Sequence, residues 1–345
     1  MKTKAKKLFA AMTVAMAATY GVDSVHEKFS VSPSVAQELQ DAIVESEEFL
    51  SFVTVMPVDE LQGQKVIGGV AVGPGKRTNT ETNDRQTSNI LQLGSKDYQL
   101  YKTEFDYHLP YTTVDSWAKF SDFRERYASW VRRAIALARV MVGWNGTSAA
   151  AVTDSTANPM GQDLNVGWLQ LLRNYKSGKQ WFTEGETANE IRIGSGGDFS
   201  NLDSLVHGVK QMIHSLYRGG SDLVAIVGED LVAEEKAKLY EAMGGTPSEK
   251  ERIEREVVSK VYAGLPIKTD VPYFPARGLL ITSLDNLAIY YQEDSWRRQI
   301  VDNSKRDRVE EYNSVNEGYV LGDEEKAAGI EFANVKLPDG QGGWA

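Results

Sequence analysis

YKTEFDYHLPYTTVDSWAKFSDFRERYASWVRRAIALARVMVGWNG, residues 101–146, changes its period in the middle. Tyr101, Phe105, Tyr107 and Leu109 are interleaved with Lys102, Glu104, Asp106 and His108, the period-2 pattern of a strand with one covered face. From Thr113 onward, Trp117, Phe120, Tyr127, Val131, Ala134, Ala138 and Met141 return at three- and four-residue steps until Gly143-Trp144-Asn145-Gly146 stops the run. This predicts a single helix of about 28 residues, ~42 Å long. Such a length reads as a structural spine, with Trp117, Phe120, Tyr127 and Val131 on its core side. Arg124, Arg126, Arg132, Arg133 and Arg139 decorate it and read as a solvated or salt-bridged face.

Outward toward the N-terminus lie short β-type runs at 53–58 and 66–72, then GPGKRTNTETNDRQTSN at 73–89, which has almost nothing to bury. Residues 58–109 are therefore expected to form a long β-hairpin with a polar tip carrying Gly73, Lys76, Arg77 and Arg85. A hairpin of this length is marginal alone and needs something to pack on. Ser32-Pro33-Ser34 ahead of Val35, Leu39, Ile43, Leu50 and Val53 opens a helix or arm with proline in its first turn.

Toward the C-terminus, the patterns predict helices at 166–175, 202–217, 230–243 and 248–262. Strands are predicted at 223–227, 279–282, 287–291, 319–321 and 330–337, and the tail PDGQGGWA reads as a flexible end. Helices and strands mix without a βαβ rhythm, so the expected class is α+β.

The first residues admit two readings. MKTKAKKLFAAMTVAMAATYG has the basic start, short apolar stretch and Ala15-Met16-Ala17 site of a secretory signal. It also places Leu8, Met12, Met16 and Tyr20 at i, i+4 beside Phe9, the pattern of an amphipathic helix. Either way the segment is separable from the fold. Residues 1–29 carry five lysines against Asp23 and Glu27, so the net −10 of the 345 residues is −13 over the other 316. A body this acidic repels phosphate and is no DNA ligand surface.

Chemistry is sparse. Zero cysteines remove thiol and cysteine-metal chemistry. Gly73-Pro74-Gly75-Lys76-Arg77 fails the phosphate-loop spacing and has arginine where Ser or Thr is required. Gly194-Ser195-Gly196 has Ile193 where a nucleophile elbow needs another glycine, and reads as a turn. His207 and His214 are too far apart for an i, i+4 chelating pair, and Glu184, Glu186, Glu234 and Glu235 sit on polar segments. No catalytic, cofactor or metal residue is expected, and no apolar run is long enough to span a membrane.

Several stretches carry a resemblance. They are Asn158-Pro159-Met160 with Gln162-Asp163, Val166-Gly167-Trp168-Leu169-Gln170, Ile191-Arg192 with Gly196-Gly197-Asp198, and Asp222-Leu223-Val224 with Ile226-Val227-Gly228. The densest block is Val271-Pro272-Tyr273-Phe274-Pro275, Leu280-Ile281-Thr282, Asn286-Leu287, Ile289-Tyr290-Tyr291, Asp294-Ser295, Arg297-Arg298 and Asp307-Arg308-Val309-Glu310 through Tyr312. In order and spacing these resemble the major capsid protein of the P-two-like (peduovirus) tailed phages, over about residues 26–325.

The resemblance implies the Hong Kong ninety-seven capsid fold. It implies a removable segment at 1–29, an N-terminal arm at 30–57 and an extended loop at 58–110. A peripheral domain at 111–200 and 319–337, an axial domain at 201–318 and a tail at 338–345 complete the expected division. Pentamers and hexamers of the chain itself would form a virion shell, assembled in the host cytoplasm around double-stranded DNA as contents. An internal scaffold, a maturation protease and a portal would be its other partners. Cleavage is expected at Phe29-Ser30, and no covalent crosslink is expected at Lys76. The competing reading, from the signal-like start alone, is an exported substrate-binding or surface protein.

Overall fold

The structure, a computed structural model, describes all residues except 71–74, 76, 83, 88–90, 118, 119, 121, 244–260, 340 and 341. For residues 4, 5, 66–70, 91–94, 124 and 239–243 it describes the backbone alone. The chain begins with α1 (Thr3–Tyr20), closed by Gly21 in the left-handed conformation (φ +65°) that lets the helix end in a tight turn. Then follow β1 (Phe29–Ser30) and α2 (Pro33–Val44), whose Pro33 starts the helix at the position where its missing N–H has no partner to lose. Strands β2 (Thr54–Val58), β3 (Gln62–Val70), β4 (Leu91–Gln99), β5 (Tyr101–Glu104) and β6 (Tyr107–Pro110) lead into α3 (Tyr111–Trp117) and α4 (Phe123–Asn145). After α5 (Trp168–Asn174) come β7 (Trp181–Phe182), β8 (Ile191–Arg192), α6 (Leu202–Met212), β9 (Val224–Val227) and α7 (Glu229–Met243). The remaining strands are β10 (Val261–Tyr262), β11 (Leu265–Lys268), β12 (Leu279–Thr282), β13 (Leu287–Gln292), β14 (Arg297–Asn303), β15 (Arg308–Leu321), β16 (Ala328–Ile330) and β17 (Val335–Lys336).

Two sheets organise two cores. The larger runs β1-β14-β15-β13-β2, with β5 and β6 also paired to β15, so the 14-residue β15 is its central member. Its face packs with α2, α4 and α5 around Trp144, Trp168, Phe49, Ile289 and Tyr319. Close approach of α4 and α5 depends on Gly143: a Cβ there would lie 2.3 Å from the Trp168 ring. The second sheet, β10-β11-β9-β12-β16-β7, packs on α6 through Leu205, Val206, Val209, Ala225 and Ile281. α6 starts at a reciprocal cap in which the Asn201 side chain accepts the Ser204 backbone N–H at 2.8 Å. Of the expected axial range 201–318, the first part through β12 builds the second core, whereas β13–β15 belong to the first sheet.

Four sequence expectations change. The single 28-residue helix is two, α3 and the 23-residue α4, about 34 Å long. The chain turns at Phe120, whose N–H bonds Trp117 O at 2.9 Å, and restarts after Asp122, whose carboxylate accepts from Arg126 Nε at 2.7 Å. The hairpin proper is β3–β4, because β5 and β6 leave it to pair with β15. Predicted helix 248–262 lies outside the described residues up to 260, and Val261–Tyr262 form β10. The tail is held: Leu337 and Ala345 exchange backbone hydrogen bonds at 2.9 and 3.1 Å, and Trp344 covers the Gly194 and Gly197 turn. An aromatic ring and a pair of backbone bonds outweigh the local flexibility of the surrounding glycines.

Candidate interaction surfaces

The β3–β4 hairpin pairs nine residues, from Gln62↔Gln99 to Val70↔Leu91, as a two-stranded sheet of its own. Lys65 and Lys96 face each other across its register, an arrangement that is unfavourable without counter-charge. The counter-charge is the turn after β15. Lys65 donates to the carbonyls of Leu321 and Gly322, Glu324 pairs with Lys96, and the Lys96 ammonium lies 4.5 Å from the Tyr175 ring centroid. Tyr98 adds an edge contact to Tyr290 of β13, with centroids 5.3 Å apart. The hairpin is thus bound at its base. Arg77 and Arg85 are exposed beyond it, while Gly73 and Lys76 lie outside the described residues.

Burial at this base lowers the Lys65 ammonium to about 8, against the pull of Asp323. The folded value lies below the ordinary 10.5, so the unfolded chain binds more protons between those two pH values and stability rises with pH across that window. Relative to Lys65→Met, the wild-type unfolding temperature should therefore rise between pH 7 and 9.5. A gap independent of pH would show that Lys65 titrates normally.

A second surface is made by the first 31 residues. α1 lies against α4 and the large sheet through Phe9, Met12, Met16 and Tyr20, leaving a cavity of about 250 Å³ lined also by Val131, Ile135 and Trp296. Below it Arg298 donates to the Tyr20 hydroxyl and pairs with Glu311, which also accepts from Tyr127 Oη at 2.9 Å and Asn313 Nδ2 at 3.2 Å. Burial pushes the Glu311 carboxyl up, but Arg298 and these donors outweigh it and hold it below the usual carboxylate range. Burial and the Glu311 charge hold the Tyr127 phenol well above its ordinary value. Ile300 N–H donates to Val25 O at 2.8 Å, and Phe29 and Ser30 pair with Arg298 and Arg297. The amphipathic-helix reading of the first residues is the one the structure displays. The bond between Phe29 and Ser30 sits in an edge strand, with Phe29 half-buried against Tyr20 and Ser30 exposed.

Among the described residues no three His, Asp or Glu side chains gather as metal ligands, and no helix is long and apolar enough to cross a membrane. His207 and His214 are exposed, and α6 ends at Met212, before His214. Gly194-Ser195-Gly196 is a turn, with Gly197 N–H on Gly194 O at 3.0 Å. The geometry described is that of docking surfaces.

The family model described as phage major capsid protein, P2 family, matches residues 8–333. The chain belongs to the P2 family of phage major capsid proteins. It is 37% identical over 350 residues to the capsid proteins of Escherichia phage P2, covering 98% of this chain and 96% of that one. To the major capsid protein of Serratia phage KSP20 it is 31% identical over 324 residues, covering 92% and 93%. It is also similar to a chain of the satellite phage P4 procapsid including size determination (Sid) protein, with TM-score 0.71, 35% identity, and 87% and 99% coverage. The fold is therefore the Hong Kong ninety-seven type, and this P2-family capsid protein is a structural component of the virion shell, not an enzyme. The exported-protein reading is set aside with it.

In this capsid protein the spine is buried differently from the expectation. Trp117 closes α3, Phe120 lies between the helices and is 40% exposed, and Tyr127 and Val131 are half-buried under α1. The α4 core is Ile135, Ala136, Val140 and Trp144, because only the second half of the helix crosses the sheet. Arg126 and Arg133 are exposed as expected, but Arg139 is fully buried. Its guanidinium reaches Glu317 Oε2 at 2.9 Å and Gln40 Oε1 at 2.7 Å, tying α4 to β15 and α2. Burial pushes the Glu317 carboxyl up against the pull of Arg139. Sequence reasoning missed this pair; its only signal was a lone arginine in the apolar stretch Ala134–Val142, read there as one of a charged row.

Proposed function

We propose that this chain assembles as pentamers and hexamers into an icosahedral shell enclosing double-stranded DNA, and that residues 1–29 are removed during maturation. The observation that carries assembly is the β3–β4 hairpin. Among the described residues it has no third strand and its contacts with its own subunit are at the base, so a neighbouring subunit is expected to cover it. Residues 30–57 would serve as the arm, 58–110 as the extended loop, and the two cores as peripheral and axial domains. Heterologous contacts of this kind close into rings. The portal, an internal scaffold and a maturation protease are the further partners, and DNA is contents: loss of the +3 segment leaves a body of −13, which does not grip phosphate.

The reading of maturation rests on α1, which docks over a cavity and whose ties to the body, Tyr20 to Arg298 and Val25 to Ile300 among them, all lie on the N-terminal side of Phe29–Ser30. Intact mass of protein from particles should correspond to a chain beginning at Ser30. A chain beginning at Met1 would overturn the maturation reading. Electron micrographs of the chain expressed with its scaffold should show closed shells; velocity sedimentation showing monomers alone would overturn the assembly reading.

A further inference from the structure

While Tyr127 and Val131 face α1, the opposite face of the first half of α4 is open: residues 125, 126, 129, 130 and 133 are all exposed. Arg126, Trp130 and Arg133 stand at i, i+4 and i+7, and so form one stripe about 10 Å long, a cation on each side of an indole. Trp130 is 48% exposed yet fixed in place, its ring edge-on to Trp117 with centroids 4.7 Å apart. A rigid, half-exposed tryptophan flanked by arginines has the composition of an interface hot spot. The charge of Arg126 and Arg133 is opposite in sign to that of the chain as a whole, although Arg126 also donates to Asp122 at 2.7 Å.

We infer that this stripe is a docking surface for an acidic amphipathic helix of a partner protein. The spacing selects the partner. Two carboxylates set about two turns apart, with an apolar side chain between them, would meet Arg133 and Arg126 while the apolar group covers Trp130. A second copy of the same stripe is repelled by its own arginines, and duplex DNA offers phosphates but no apolar group to cover an indole. The inference gives the proposed internal scaffold a docking chemistry and rests on that reading only for which protein supplies the helix.

The test is fluorescence anisotropy on the unassembled full-length chain, so that a failure to dock is separate from a failure to form shells. The probe is a labelled 18-residue helical peptide with Glu, Leu and Glu at i, i+4 and i+7. It should bind saturably and several-fold more weakly when NaCl is raised from about 50 to 300 mM. Trp130→Ser and Arg126→Glu/Arg133→Glu should each weaken it at least about tenfold, and a scrambled peptide of equal charge should bind at least about tenfold more weakly. Arg133→Glu alone, at an exposed position, serves if Trp130→Ser loses its fold. No binding, equal binding of the scrambled peptide, tighter binding of an 18-base-pair duplex, or variants that bind like wild type would overturn the inference. So would a change in subunit sedimentation on Trp130→Ser with no peptide present, which would assign the stripe to contacts between copies.

Discussion

Arg139→Met is expected to destabilise the subunit by about 3–5 kcal/mol in denaturant unfolding, the range for breaking a buried ion pair on one side. Arg139 is 0% and Glu317 1% exposed, so methionine leaves the carboxylate without its counter-ion in a place water cannot reach. Glu317 would then fold only in its neutral form, and the variant should lose more stability at pH 8 than at pH 5. The sign follows from the direction of the shift. Burial already raises this carboxyl, and without arginine it rises further, so the folded state takes up a proton that the unfolded chain releases above the ordinary carboxylate range. Arg139→Met/Glu317→Met should recover most of the loss, because the second substitution removes the stranded charge. A single variant as stable as wild type at pH 8 would show that the pair contributes nothing.

Replacing residues 73–90 with Asn-Gly is expected to reduce closed particles at least tenfold, counted by electron microscopy, while the subunit unfolds within about 2 °C of wild type. The two outcomes separate because, among the described residues, the hairpin's contacts with its own subunit are at the far end from the tip. Lys65, Lys96 and Tyr98 all lie outside the deletion, and their partners Leu321, Gly322, Glu324 and Tyr290 are untouched. With residues 71 and 72 kept, Asn-Gly makes a four-residue connection between the last pair, Val70 and Leu91, a common hairpin loop length, so β3 and β4 can still pair, and shortening a loop changes closure entropy only slowly with length. Normal particle yield would show that the tip makes no contact needed between subunits. A large fall in unfolding temperature would show that it belongs to the subunit's own stability.

The sequence disclosed those elements whose signal is local. Pro33 marks the start of α2, the apolar runs at 279–282 and 287–291 coincide with β12 and β13, and the polar tract at 73–89 identified a hairpin by what it could not bury. What stayed hidden depends on distant partners. The three- and four-residue steps continue through Phe120, so periodicity passes over the turn between α3 and α4. Arg139 looked like Arg132 and Arg133 because its acid lies 178 positions away on β15. Trp344 was read with its glycine neighbours, although the turn at Gly194 and Gly197 was there to receive it. Of the proposed interaction surfaces, the hairpin tip was expected from its polar composition and the Phe29–Ser30 bond from the resemblance. The Lys65–Lys96 base was not, since neither lysine signals its register.

Strand β15 joins surfaces that otherwise look independent. Glu311 anchors the Arg298–Tyr20 contact under α1, Glu317 holds the spine through Arg139, and the Leu321 carbonyl receives Lys65 from the hairpin. Ten residues of extended chain place the first and last of these about 33 Å apart. A neighbour tugging on the extended loop would load this strand lengthwise, where the ladder bonds to β5, β6, β13 and β14 share the shear together. The strand is a tie-rod: tension enters at one end, and α1 is fastened near the other.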